Sequence, residues 1–366
     1  MIRTLMAATA LATLASPAFA ETITVAPGED AQERLQEALI LAEPGDEIVL
    51  QAGRFILTDG LSLDADGVTL RGAGMHASVL DFSAQEGAGE GLLVTSDGVT
   101  LRDFGMENPK GDGIKSKGAD DIVYQGIRVT WTNGPASTNG AYGIYPVEST
   151  GVLIDGCEVS GASDAGIYVG QSSLITVRNS MASYNVAGIE IENSRKAIVE
   201  RNYVTGNTEG NIVASVRRGT GIMVMANDTV WVGQNLLYDN PTAPIMVIAY
   251  PLAFEDPEYN PYPREITIDW NEVDEGGTDP QFEGPEMLLA AFGGALPPIM
   301  SDGLAPPGEE LSLMIHPDMT GWSVNLPEQG AGIESARPAP LEAGMIGQPI
   351  SIEGWGAPEA LEARLK

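Results

Sequence analysis

The sequence holds a single cysteine, Cys157, so no intrachain disulfide can form and burial must hold the fold together. Histidine is almost as scarce. His76 and His316 are the only two, and an isolated histidine is more often a surface or capping residue than a catalyst. Beyond the first 20 residues no apolar run reaches the roughly 18 residues of a membrane-spanning helix. Cations are few: 19 Lys and Arg stand against 51 Asp and Glu, a formal net charge of −32. Such a field makes nucleic acid a poor partner. It also repels a polyanionic glycan unless a basic patch or bound cations intervene. The plainest use of the charge is solubility. Adventitious Ca²⁺ binding is easy on such a surface, but nothing in the sequence requires a cofactor.

The N-terminus is patterned for export. Arg3 is followed by the short apolar run LMAATALATLA (5–15) and by the small-x-small site Ala18-Phe19-Ala20. Residues 1–20 are expected to be a signal peptide, cleaved after Ala20, and the protein to be periplasmic or secreted. No cysteine stands at that junction to carry a lipid. The expected molecule is a monomer.

The remainder is organised by a repeat. A Gly-Ile-x-Val-like frame starts at Gly91, Gly113, Gly143, Gly166, Gly188 and Gly221, with steps of 22, 30, 23, 22 and 33 residues. An alternating apolar pair follows each frame: Val99/Leu101, Ile122/Tyr124, Val152/Ile154, Ile175/Val177, Ala197/Val199 and Val230/Val232. Five residues further on stand Phe104, Ile127, Cys157, Ser180, Asn202 and Asn235. Each unit thus holds three short strands between Gly, Asn or Asp turns. It is too small for a core of its own and fits one coil of a parallel β-helix, whose inward residues stack from coil to coil. Cys157 is then a small buried hydrophobe, and Asn202 and Asn235 form a structural amide ladder.

The expected fold is an all-β, right-handed parallel β-helix of about eight or nine coils over residues 21–275. Residues 31–42, AQERLQEALILA, have helical periodicity and should cap the first coil. Residues 276–366 are rich in Pro and Gly and are expected to form an irregular tail on the last coils.

The run AEPGDEIVLQAGRF resembles the first strand of pectate-lyase-like right-handed β-helices. The stretches GDGIKSKGADDIVYQGIRVTWTNG, GAYGIYPVEST, SDAGIYVGQS, NVAGIEIENS and GTGIMVMAND resemble a family of bacterial exported parallel β-helix repeat proteins, over about residues 30–275. Between Asn207 and Gly221 the chain is shorter than that family's pattern, by about a coil. The wider superfamily includes pectate lyases, polygalacturonases, alginate C5-epimerases and a periplasmic protein of copper-enzyme maturation. The resemblance therefore implies a fold and a range of activities. The Asp-Pro-His-Asp stretch of the epimerases is missing here, as is the Asp and His pattern of the polygalacturonases.

Neighbouring residues on a strand point to opposite faces. With Ile167 and Val169 inward, Tyr168 points outward. The same slot in successive coils holds Lys115, Tyr145, Tyr168, Glu190 and Met223, a column with a rise of about 4.8 Å per residue. Lys117 and Glu192 widen it, and Asp164 enters the Tyr168 strand. The two long repeat steps place extra residues at one phase of the coil, near 132–141 and 207–219. They should wall a solvent-facing trough roughly 10–15 Å wide, with Arg217 and Arg218 on the second wall.

Tyrosines offer flat faces and hydroxyls to sugars. Lys115, Tyr145 or Tyr168 with Glu190 or Asp164 would suffice for proton transfer next to a uronate, provided a phenol or ammonium has a lowered pKa. Asp164 and Glu190 are also a carboxylate pair for hydrolysis. The primary expectation is a carbohydrate-binding groove, with catalysis left open among lyase, epimerase and hydrolase chemistry. A different reading takes Met223, Met225 and Met246, which share one outer parity, as soft ligands for copper. Against it, methionine also packs irregular contacts under a tail. A third reading is a structural solenoid that docks another exported protein.

Overall fold

The computed structural model describes residues 20–87, 89–208, 218–251, 259–274, 276–282, 284–341, 344–345 and 351–365. The expected signal peptide, Arg217 and most of the 207–219 insertion lie outside the described residues.

Three sheets of 12, 11 and 9 strands wrap one interior. A coil takes one strand from each. Ala165–Gly170 belongs to the eleven-stranded sheet, Ser173–Arg178 to the twelve-stranded sheet and Met181–Ser183 to the nine-stranded sheet; Ala187–Glu192 then begins the next coil. The nine-stranded sheet runs from Gly53–Ile56 to Glu272–Val273, and the other two sheets extend the stack beyond it. Coil-to-coil pairing is parallel and in register, as in the stack Ile167, Ile189, Ile222 and Ile245, and only Ala339–Pro340 among the named strands pairs antiparallel, beside Gly321–Ser323. All four are fully buried, and each such side chain contributes about 1.5–3 kcal/mol relative to exposure.

The repeated glycine of the frame has a steric cause. A Cβ on Gly113, Gly143, Gly166, Gly188 or Gly221 would lie within 3.0 Å of the carbonyl oxygen of the coil above. Only a residue without a side chain lets the corner stack that closely. The corner that follows is turned by one residue at positive φ in each coil: Glu148, Gln171, Asn193 and Ala226.

Helix α1 (Ala31–Leu41) caps the first coil by burying Ala31, Leu35, Ala38 and Leu39. At the other end the stack runs on past residue 275. Strands Ile299–Ser301, Leu313–Ile315, Gly321–Ser323 and Gly344–Met345 continue it within an otherwise irregular tail. The sequence pattern misses them because long loops replace the repeat's turns.

The chain's last described segment straps back over the twelve-stranded sheet. Helix α2 (Glu359–Glu362) sets Leu361 on Val123 and Leu153. Arg178 joins Asp155 at 2.9 Å to Glu362 at 2.6 Å. No helix among the described residues is long and apolar enough to cross a membrane.

Candidate functional site

The expected column exists. On the eleven-stranded sheet Lys115 pairs with Tyr145, Tyr168 with Glu190, and Glu190 with Met223, and Met223 leads on through Met246 and Met300 to Trp322. Two residues along, Lys117, Val147, Gly170, Glu192 and Met225 form a parallel column.

Its expected exposure is overturned. Tyr168 is 6% exposed, Asp164 4%, and Glu190 and Met223 are fully buried. The face carries Met223, Met225, Met246, Ile248 and Met300, and this apolar surface draws the tail onto it. Leu288, Leu296 and Val324 complete a second apolar cluster outside the coils. Met223, Met225 and Met246 pack inside that cluster, so the face the copper reading needs open is covered. The hydroxyl of Thr220 lies 3.2 Å from the Met246 sulfur. Among the described residues no set of three His, Cys, Asp or Glu is placed to hold a metal ion.

Below the methionines the face is polar and half open. The rings of Tyr142, Tyr145 and Tyr168 pack together with centroids 4.5–5.0 Å apart. Lys115 lies 4.9 Å from the centre of the Tyr145 ring, 3.3 Å from Glu90 and 4.0 Å from Asp112. Tyr250 and Tyr259 stack edge to face at 5.5 Å, and both feel the charges of Glu190 and Glu192 or of Glu192 alone. Gly170 makes room for this packing. A Cβ there would meet Tyr168 Cε1 at 2.5 Å. Lys117 stands at the rim, paired with Glu148 at 3.8 Å.

The carboxyl groups are strained electrostatically. Burial, then the charges of Asp164 and Glu192, push Glu190 well above the usual carboxylate range. Neither of its oxygens has a hydrogen-bond partner among the described residues. Burial also raises Asp164 to about 7, against a hydrogen bond from Tyr142 and with help from Glu192 and Asp112. Its Oδ1 has no partner among the described residues either. Burial raises Glu192 despite a hydrogen bond from Tyr168. The phenols run opposite to the requirement for a base: burial lifts Tyr145 to about 12 and drives Tyr142 and Tyr168 higher still. Tyr145 and Tyr168 are therefore neutral donors, and the lowered pKa that proton transfer by a phenol requires is not found here.

The insertions meet at the edge of this sheet. Ala136 and Ser137 from the first, and Thr208 and Arg218 from the ends of the second, line a cavity of about 610 Å³ with Asp239 and Asp279. The phenol cluster gains no described cation beyond Lys115 and Lys117. Tyr142, Tyr250, Tyr259, Asp112 and Glu90 were not among the sequence candidates. Tyr142 and Asp112 each sit one residue before a frame glycine, a position the pattern exposes. Tyr250 and Tyr259 arrive through the tertiary path of the chain and carry no repeat signal.

The family model described as "Right handed beta helix region" matches residues 66–240. The chain is a right-handed parallel β-helix. No curated protein matches its sequence. Similar solved structures show the same β-helix fold at low identity. One is an alginate lyase from Paenibacillus sp. str. FPU-7, at 18% identity and TM-score 0.54, with 81% of this chain and 93% of that one covered. Another is the catalytic unit of a GH87 α-1,3-glucanase from Streptomyces thermodiastaticus, at 16% and 0.61; the β-helix covers 82% of itself and 53% of that chain, about half its length. A third is a mannuronan C-5 epimerase A-module from Azotobacter vinelandii, at 14% and 0.52, with 81% and 86% covered.

Proposed function

We propose that this β-helix binds a polysaccharide across the tyrosine- and carboxylate-lined face of its eleven-stranded sheet and moves protons on it. The observation that carries the reading is the convergence of Tyr142, Tyr145 and Tyr168 with Asp164, Glu190 and Glu192 on stacked strands. Aromatic faces suit sugar rings. A carboxyl group raised to about 7, as Asp164 is, can both give and take a proton near neutral pH. The tyrosines hold and orient; Asp164, backed by Glu190, is the proton carrier; Lys115 and Glu192 border the open side. Similarity to a lyase, a glucanase and an epimerase supports a carbohydrate as the substrate. An exported location, read from residues 1–20, suits a polymer that stays outside the cytoplasm.

The test is binding to a polysaccharide array. Tyr145→Ala should weaken the wild-type signal at least about tenfold in a protein that still melts cooperatively. Asp164→Asn should retain binding and lose turnover. A wild-type protein that binds no polysaccharide would end the proposal.

A further inference from the structure

We infer that the site takes a glycan without acidic groups, whose hydroxyls donate hydrogen bonds to the carboxyl oxygens of the site. The inference rests on the carbohydrate reading above and narrows it, against the uronate class that the β-helix resemblance brings to mind.

Three observations carry it. The first is the balance of charge. Glu90, Asp112, Asp164, Glu190 and Glu192 all act on this face, and among the described residues Lys115 is the one cation among them. Lys117 at the rim is paired with Glu148. The second is that the cation is engaged. Lys115 serves Glu90 at 3.3 Å and Asp112 at 4.0 Å. A substrate carboxylate would thus meet acids whose neighbouring cation is already paired. The third is what the site lacks. Glu190 is fully buried next to Tyr168 in the stack, with both oxygens unpartnered among the described residues, and Asp164 Oδ1 is also bare there. Buried oxygens of this kind call for donors. A hydroxyl-rich neutral sugar reaching Asp164 and Glu192 past Tyr142 and Tyr145 brings donors and no charge. A uronate brings a charge that the surrounding carboxylates repel.

Ca²⁺ could bridge a polyuronate to acids, but no three-ligand group for a metal ion exists among the described residues. The charge argument therefore stands without one.

The experiment compares purified wild-type protein against two immobilised sets, with EDTA and with Ca²⁺. One set holds neutral glucans, xylans and mannans; the other holds alginate and polygalacturonate. Binding confined to the neutral set is the expected result. A polyuronate bound as tightly as any neutral glycan, in either buffer, would overturn the inference and leave the carbohydrate reading standing. Binding to neither set would remove the reading on which both rest. Glu192→Gln supplies an independent arm. Loss of one charge should raise residual polygalacturonate binding about threefold to tenfold at low salt. No rise would show that charge is not the discriminator, and the inference would fail.

Discussion

Glu190 sits where a leucine would be comfortable, and that cost is measurable. Its folded-state pKa, like that of Asp164, is raised, whereas an unfolded carboxyl ionises near 4. From pH about 4 upward, to about 7 for Asp164, the folded state therefore holds extra protons, and stability from these groups falls as pH rises through their folded-state pKa values. Below pH 4 both states are protonated and the contribution is flat. Glu190→Gln should accordingly stabilise the protein more at pH 8 than at pH 4. Urea titrations at the two pH values measure it, and equal gains at both would contradict the assignment. The comparison must be between variant and wild type, because other acids run the other way. Burial works against Asp81 and Glu107, yet Ser83 and Arg54, or Arg54 and Arg128, hold them below the usual range. At this scale the sequence was readable in register and unreadable in environment. The alternation that put Tyr168 and Glu190 in one column also placed them opposite Ile167 and Ile189. Nothing local could show that Leu288, Leu296 and Val324 would lie over the same face.

The elements are held by polar ladders as much as by apolar stacks. Asn235 accepts from the backbone and side chain of Asn202 at 3.0 and 3.1 Å. Its amide donates to Val199 O at 3.0 Å and Asn271 Oδ1 at 2.9 Å. A second ladder runs from Asn185 through Asn207 to Asn240. These side chains satisfy the backbone at the sharp corners where sheet pairing lapses. Asn235→Ala strands buried partners above and below, and should cost about 2–4 kcal/mol, read as a lower urea midpoint. A loss under about 0.5 kcal/mol would mean that water replaces the amide. The sequence exposed this ladder because Asn recurs at one phase. It did not expose the strap around Leu361, whose partners Val123 and Leu153 lie more than 200 residues earlier.

For the whole molecule the deciding quantity is the charge of −32. Favourable ion pairs such as Arg178 with Asp155 and Glu362 are screened by salt, and so is the repulsion among the surplus acids. The surplus is far larger than the number of pairs, so screening should favour the folded state. Raising NaCl from about 20 mM to about 500 mM should raise the melting temperature by a few degrees; a fall would show that ion pairs outweigh self-repulsion.

The sequence by itself determined the winding: the glycine frame, the alternating pairs and the asparagine phase each follow from contacts between a residue and its counterpart one coil away. Such contacts recur at a fixed spacing and are therefore written as a repeat. Only the tertiary structure decided which side of the winding meets water. That depends on where non-repeating segments come to rest, including Tyr250, Tyr259 and the tail from Phe282 to Ala336, and a segment without a period leaves no periodic trace of the surface it will cover.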